Sequence, residues 1–240
     1  KESCGFFRNE IIAQTVVCNA KKKPYEKVHR MTKNKTLKEQ NISKMILFLI
    51  FNITILFCSY GNSLDFNSID LNFKTLASKE SLFTIMSPLL IIVLNGIMSS
   101  DIKHILVFWK VKNVLPGHRV FSKLAPMDTR IDLESIKNKL GSLPIDPKEQ
   151  NKKWYKLYSK HKSDEVIDSS HGDFLLTRDL TALSVLFLIS SPIILFYNSG
   201  IIVKLLTITY FIFQYLILKT VSKNYGNRFA CNVLTIESKF

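Results

Sequence analysis

The chain has 240 residues, 47% of them hydrophobic, with 33 Lys and Arg against 19 Asp and Glu and a formal net charge of +14. Spread over a soluble domain, that charge would suggest a nucleic-acid partner, but the apolar residues gather into four blocks long enough to compete with a bilayer, which excludes an ordinary soluble core. The four cysteines, Cys4, Cys18, Cys58 and Cys231, show no CxxC spacing and one lies inside an apolar block. That pattern indicates neither a disulfide framework nor a zinc site, and free thiols fit a reducing cytosol.

Residues 1–44 form a basic segment in which the first methionine is Met31. Residues 1–30 carry Lys21, Lys22 and Lys23 but only the short apolar run IIAQTVV, broken by Gln14. They lack signal-peptide character and are read as upstream translation or an expression scar.

Four spans are predicted, at 45–64, 82–100, 179–197 and 201–218, and they make an all-α membrane protein of two hairpins. The first hairpin has an external loop at 65–81, with Asp65, Asp70 and Glu80 against Lys74 and Lys79. The second turns tightly through Asn198, Ser199 and Gly200, which forces its helices to lie antiparallel and adjacent. Between the hairpins lies a long insert, 101–178, and a tail of 219–240 follows the last span.

Lys and Arg set the orientation. Residues 1–44, 101–178 and 219–240 together hold thirty of the 33, whereas the external loop holds two. The positive-inside rule places both termini and the insert in the cytosol. Basic loops of this kind follow from insertion and from attraction to anionic headgroups, so the charge does not require direct nucleic-acid binding.

Within the spans, Ser87-Pro88 and Ser191-Pro192 recur before an apolar run and a polar end. Each proline removes a backbone donor and can kink its helix, opening a vestibule or a hinge, or it is simply tolerated among neighbouring helices. Asn52, Asn95 and Gln214 are the other polar side chains deep in the spans. An amide in hydrocarbon needs a partner, so these residues face other helices, where a pair contributes roughly 0.6 to 2 kcal/mol, or they line a pore. No Asp, Glu, Arg or His lies mid-span, and Lys204 is close enough to the outer boundary to snorkel. A proton-coupled transporter or ion pump usually keeps an ionisable group at the midplane, so that class is disfavoured.

In the insert, Ile102, Ile105, Leu106 and Trp109 repeat at helical spacing and extend the second span as an amphipathic arm up to Leu115-Pro116-Gly117. Two further helices are marked by their ends. Asp132 caps one that Gly141 stops, and Asp146 caps another with Pro147 at its first position and Glu149 at its third. On the latter, Trp154, Tyr155, Leu157 and Tyr158 alternate with Lys152, Lys153, Lys156, Lys160 and Lys162. Such a helix presents Lys153, Trp154, Tyr155, Lys156 and Tyr158 to a partner protein, a membrane or nucleic-acid bases, or else buries its aromatics as the insert's own core beneath a solvated basic face.

Enzyme constellations are not found. Asp128, Arg130 and Asp132 lie close together, and His118, His161 and His171 are widely spaced, without HExxH, GxSxG or a glycine-rich phosphate loop. No metal or cofactor is expected. Asp173, Arg178 and Asp179 stand at the mouth of the third span, where an interfacial salt bridge accounts for them.

The runs FWKVKNVLPGHRVFSKLAPMDTRID, GSLPIDPKEQNKKWYKLY and HGDFLLTRDLTAL, within residues 108–183, resemble those of small bacterial membrane proteins. The four-span layout with a cytosolic face is similar to the membrane component of the Kiwa anti-phage system and to membrane effectors of other defence systems. The resemblance implies a cytoplasmic-membrane protein that oligomerises, senses or transmits a membrane disturbance and works with a cytosolic partner. It carries over no catalytic or binding residue. A homo-oligomer coupling its spans to a cytosolic partner or ligand is therefore expected; the alternative is a channel or small-solute transporter in which the insert is a structural gate.

Overall fold

The computed structural model describes residues 37–60, 93, 96–195 and 200–239. Asn41–Phe240 form one compact unit and residues 1–40 another, of which only the opening turn of the first helix, residues 37–40, is described. All regular structure among the described residues is helical. In chain order it comprises α1 (Leu37–Tyr60), α2 (Ser100–Phe108), α3 (Leu133–Leu140), α4 (Pro147–His161), α5 (Glu165–Ile194) and α6 (Ile201–Lys239).

Three of these helices are by length and composition apolar enough to cross a membrane: α1 over Asn41–Ser59, and α5 and α6. The expected external loop 65–81 and nearly all of the expected span 82–100, including Pro88 and Asn95, lie outside the described residues, as do Asn198 and Ser199 of the second turn.

The two longest helices organise everything else. α5 and α6 run antiparallel: Phe187 stacks on Phe211 at one end, ring centroids 5.7 Å apart, while Phe174 stacks on Phe229 at the other, 6.5 Å apart. The helices carry two cores along their length. The first is thin and joins Leu49 and Leu56 of α1 to Leu183, Phe187 and Phe211. Around it, Leu47, Phe51, Ile189, Ile202, Leu206 and Phe213 are exposed, an apolar surface suited to lipid.

The second core is broad. Val107, Phe108, Val120, Phe121, Ile136, Trp154, Leu157, Ile167 and Phe174 close around Phe229, Ala230, Val233 and Leu234 of α6. Residues 219–239, expected as a tail after the last span, are thus the final turns of one 39-residue helix and the central element of this domain. The approach is close at Gly226, where an added Cβ would lie 2.9 Å from both Phe108 Cζ and Phe174 Cε2.

Local signals explain most helix ends. Asp132 accepts from the Glu134 and Ser135 amides, and Asp146 from those of Lys148 and Glu149, with Pro147 opening α4. Gly141 ends α3 at φ 72°, a left-handed value that suits glycine. Asp164 caps α5 in the same way as the other two aspartates.

The arm departs from expectation. α2 is not a continuation of the second span but a separate helix whose N-cap is Ser99, in extended backbone, with its Oγ accepting the Ile102 amide at 3.3 Å. A Ser-Ser-Asp run supplies just such a cap, with Asp101 in the first turn. α2 also stops early, at Phe108, because Trp109 turns left-handed at φ 51°. Its buried residues are Lys103, Val107 and Phe108, whereas Ile102 and Trp109 of the apolar stripe are exposed.

From α2 the chain passes through a 3-10 turn (Pro116–Arg119), a wider π turn (Val120–Leu124) and another 3-10 turn (Ala125–Met127). Loose turns leave amides without helical partners. Here the fully buried Gln150 takes them: its Oε1 accepts from the Phe121 and Ser122 amides, both at 3.2 Å, while its Nε2 donates to Ile145 O at 2.9 Å.

Candidate functional site

The basic aromatic face of α4 divides in two once the domain is folded. Trp154 is core: its indole N–H donates to Ala230 O at 3.1 Å, its ring stacks on Tyr158 at 5.8 Å and meets Phe229 edge-on at 5.5 Å. Tyr158 is half-buried and its hydroxyl pairs with His171 Nδ1 at 3.2 Å. Lys153 bends back to the Leu140 and Ser142 carbonyls, at 2.9 and 3.1 Å, and so holds the α3–α4 connection. Of the five α4 residues proposed for partner contact, only Tyr155 and Lys156 present open surface.

The polar residues between the apolar helices come together. Gln214 of α6 donates to Asn52 Oδ1 of α1 at 2.8 Å and to Tyr210 Oη at 2.9 Å, while Asn52 donates to Phe48 O, one turn earlier, at 2.7 Å. Two turns away from this pair, Thr207 donates to Ser59 Oγ at 2.9 Å. Both contacts tie α1 to α6 where apolar packing is thin. Pro192 lies in the last turns of α5 on an exposed face, two residues before the helix ends.

A third set of polar groups sits between the two cores. Asp179 of α5 is buried and accepts Lys103 of α2 at 3.3 Å and the adjacent Arg178 at 3.0 Å. Both side chains of the Lys103–Asp179 pair are under a tenth exposed, 8% and 6%. Arg178 Nη1 in turn lies 3.4 Å from His104 Nε2, and the His104 ring stacks on Phe174 at 6.0 Å. Burial first, and the Arg178 charge second, press His104 down to a pKa of about 4. On the neighbouring side, Asn41 of α1 donates to the Gly172 carbonyl of α5 at 2.9 Å.

This girdle joins α1, α2 and α5 at the level where lipid-suited surface gives way to the domain. Arg178 and Asp179 were legible as an interfacial pair. Lys103 was not, because a lysine one residue from Ile102 in an amphipathic run reads as solvated.

The far end of the domain holds another buried carboxylate, Glu237, which accepts Lys160 at 2.9 Å and also His161. Lys139 Nζ caps the end of α6 by donating to Glu237 O at 3.0 Å. A cation on the last carbonyls complements the helix dipole, so these contacts fasten α6 into the domain. Among the described residues no group of His, Cys, Asp or Glu is arranged to hold a metal. No family model, curated protein or solved structure matches the chain.

Proposed function

We propose that this is an oligomeric bacterial inner-membrane protein, with four spans and both termini in the cytosol, whose domain couples the spans to a cytosolic partner. The role assigned to it, on the resemblance of its four-span layout with a cytosolic face to membrane components of defence systems, is that of a sensor or effector in anti-phage defence. One observation carries the coupling: α5 and α6 run without a break from lipid-suited surface into the middle of a packed domain. Close-packed interiors do not deform continuously, so a tilt or slide of these helices in the bilayer must repack the domain.

The Asp179 girdle reinforces the link, since α2 must move with α5 or give up a buried ion pair. Tyr155 and Lys156, with the exposed Lys148 and Lys152 on the same helix, form the surface offered to the partner.

The test is amide exchange in nanodiscs built from lipids of two acyl-chain lengths. Helices meeting a thinner bilayer tilt or shift, so exchange in 130–140 and 227–238 is expected to differ between the two discs. Asp179→Leu together with Lys103→Met should diminish that difference. Equal exchange in both discs overturns the coupling.

A further inference from the structure

Where the exposed apolar surface of α6 ends, near Phe213 and Ile217, the chain builds an aromatic anchor. The Trp109 indole, 60% exposed, donates to Tyr215 Oη at 2.7 Å, and that hydroxyl donates on to Leu106 O at 3.0 Å. Trp and Tyr with one apolar face and one satisfied polar atom are the residues that settle at a bilayer interface. The left-handed backbone at Trp109 turns the chain here, so its indole is held by α6 rather than by its own helix.

Cations collect around this anchor. Lys219 Nζ lies over the Trp109 ring, 2.9 Å from its centroid, and Lys223 follows one turn later on α6. The Arg119 guanidinium lies over the neighbouring Phe108 ring at 5.3 Å. Lys110 follows Trp109 directly, and Lys123 extends from the π turn that packs on α6. The ion pairs of the described residues involve other cations, and among those residues none of these five has a carboxylate partner.

The crowding has an electrostatic cost. Lys110 is held below the usual lysine range, first by Arg119, then by burial and by Lys123 and Lys223. Like charges gathered without a counter-charge raise a local potential that a bound anion would relieve.

We propose that Lys110, Arg119, Lys123, Lys219 and Lys223 form a binding site for the phosphate of an anionic phospholipid headgroup, with Trp109 and Tyr215 setting its depth. The lipid source follows from position: the cluster adjoins the apolar surface of α6, so a headgroup reaches it while its acyl chains lie along Phe213 and Ile217. Basic pockets beside helix ends are the form such sites take. The site rests on the membrane reading above, and it adds a specific ligand to it.

Native mass spectrometry of the full chain, released from nanodiscs of zwitterionic lipid doped with phosphatidylglycerol or cardiolipin, reads the site directly. The wild type should retain anionic lipid in preference to zwitterionic lipid. The quadruple variant Lys110→Gln, Lys123→Gln, Lys219→Gln, Lys223→Gln should bind it at least tenfold more weakly. A control with the same charge loss on α4 and its C-cap, at Lys148, Lys152, Lys156 and Lys162, should retain it, and circular dichroism should show both variants folded.

Equal loss in site and control variants, or no preference for anionic lipid, overturns the proposal. Millimolar inorganic phosphate is expected not to displace the lipid; displacement would overturn the lipid as the source. In a chain whose four cysteines are replaced by serine, Lys162→Cys should escape an impermeant maleimide in intact spheroplasts, and labelling there would place the domain outside. A wrong topology and an absent lipid site therefore give different results.

Discussion

α6 is one helix dressed in two opposite ways. Before Leu218 it exposes Ile202, Leu206 and Phe213 and turns Thr207 and Gln214 towards α1; beyond Lys219 it exposes Lys223, Asn224 and Arg228 and buries Phe229, Val233 and Leu234. α5 makes the same exchange in reverse order, with Ile167 and Phe174 in the domain core and Ile189 and Ile193 exposed near its end. In lipid, apolar packing offers no net drive to associate, so polar contacts and close fit must hold helices together; in water, burial does it. The comparison separates the two halves by the forces that hold them, and substitutions should break them separately.

The largest effect is expected in the domain half. Trp154→Ala removes a buried indole and the side-chain hydrogen bond that it adds at the Ala230 carbonyl, at a cost of about 4 kcal/mol. Thermal unfolding in detergent, followed by near-UV circular dichroism, should show the domain transition lowered or lost, while membrane extraction behaviour stays that of the wild type. A loss of insertion as well would mean that the two halves are not separable. By contrast Tyr155→Ser, one residue away on exposed surface, should change stability by less than about 0.5 kcal/mol.

Next comes the girdle. Asp179→Ala removes the buried carboxylate that Lys103 and Arg178 share, which should cost about 3 kcal/mol. Lys103→Met should cost less, since Arg178 still neutralises Asp179. The double variant Lys103→Met, Asp179→Leu should recover part of the single loss, which a double-mutant cycle of unfolding midpoints measures.

Gln150→Leu tests whether the π turn depends on one side chain. It strips the Phe121 and Ser122 amides of their acceptor, a loss of about 2 kcal/mol confined to the domain. In the apolar half, Gln214→Leu should cost only about 0.6 kcal/mol, because a polar contact between helices in lipid is worth little more. Its mark should be freer α1, seen as faster proteolysis of residues 37–60 with the domain transition unchanged.

How legible each half was follows the same division. The caps at Asp132, Asp146 and Gly141 were readable because they act over three or four residues, and so were the apolar runs. That Asn52 and Gln214 face other helices was readable from the cost of an amide in hydrocarbon; that they bond each other was not. The place of residues 219–239 was hidden for a different reason. Phe229, Val233 and Leu234 share a helix with many polar residues, and their partners, such as Trp154 to Ala230 at a separation of 76 residues, are distant in sequence. A partner surface inferred from Trp154 in isolation overlooks this, whereas Tyr155 and Lys156 keep that role open.

Acid sensitivity offers a separate test of the girdle. In the unfolded chain His104 titrates near 6.5, whereas in the folded domain burial and Arg178, opposed by Asp101 and Asp179, hold it at about 4. Between those values the unfolded chain binds a proton that the folded one refuses, so the stability from His104 is complete above about pH 6.5 and is lost as pH falls towards 4. Asp128, held below the usual carboxylate range chiefly by its hydrogen bond from Arg130, loses its contribution only lower, below its ordinary value. His104→Phe keeps the stack on Phe174 and removes the proton, so the unfolding midpoint between pH 6.5 and 4 should flatten in that variant. Arg178→Gln should narrow the window from its acid end, since burial, the larger cause, still holds His104 below its usual range. An unchanged slope in both variants would place the acid sensitivity outside the girdle, and with it the claim that the junction is held by charge.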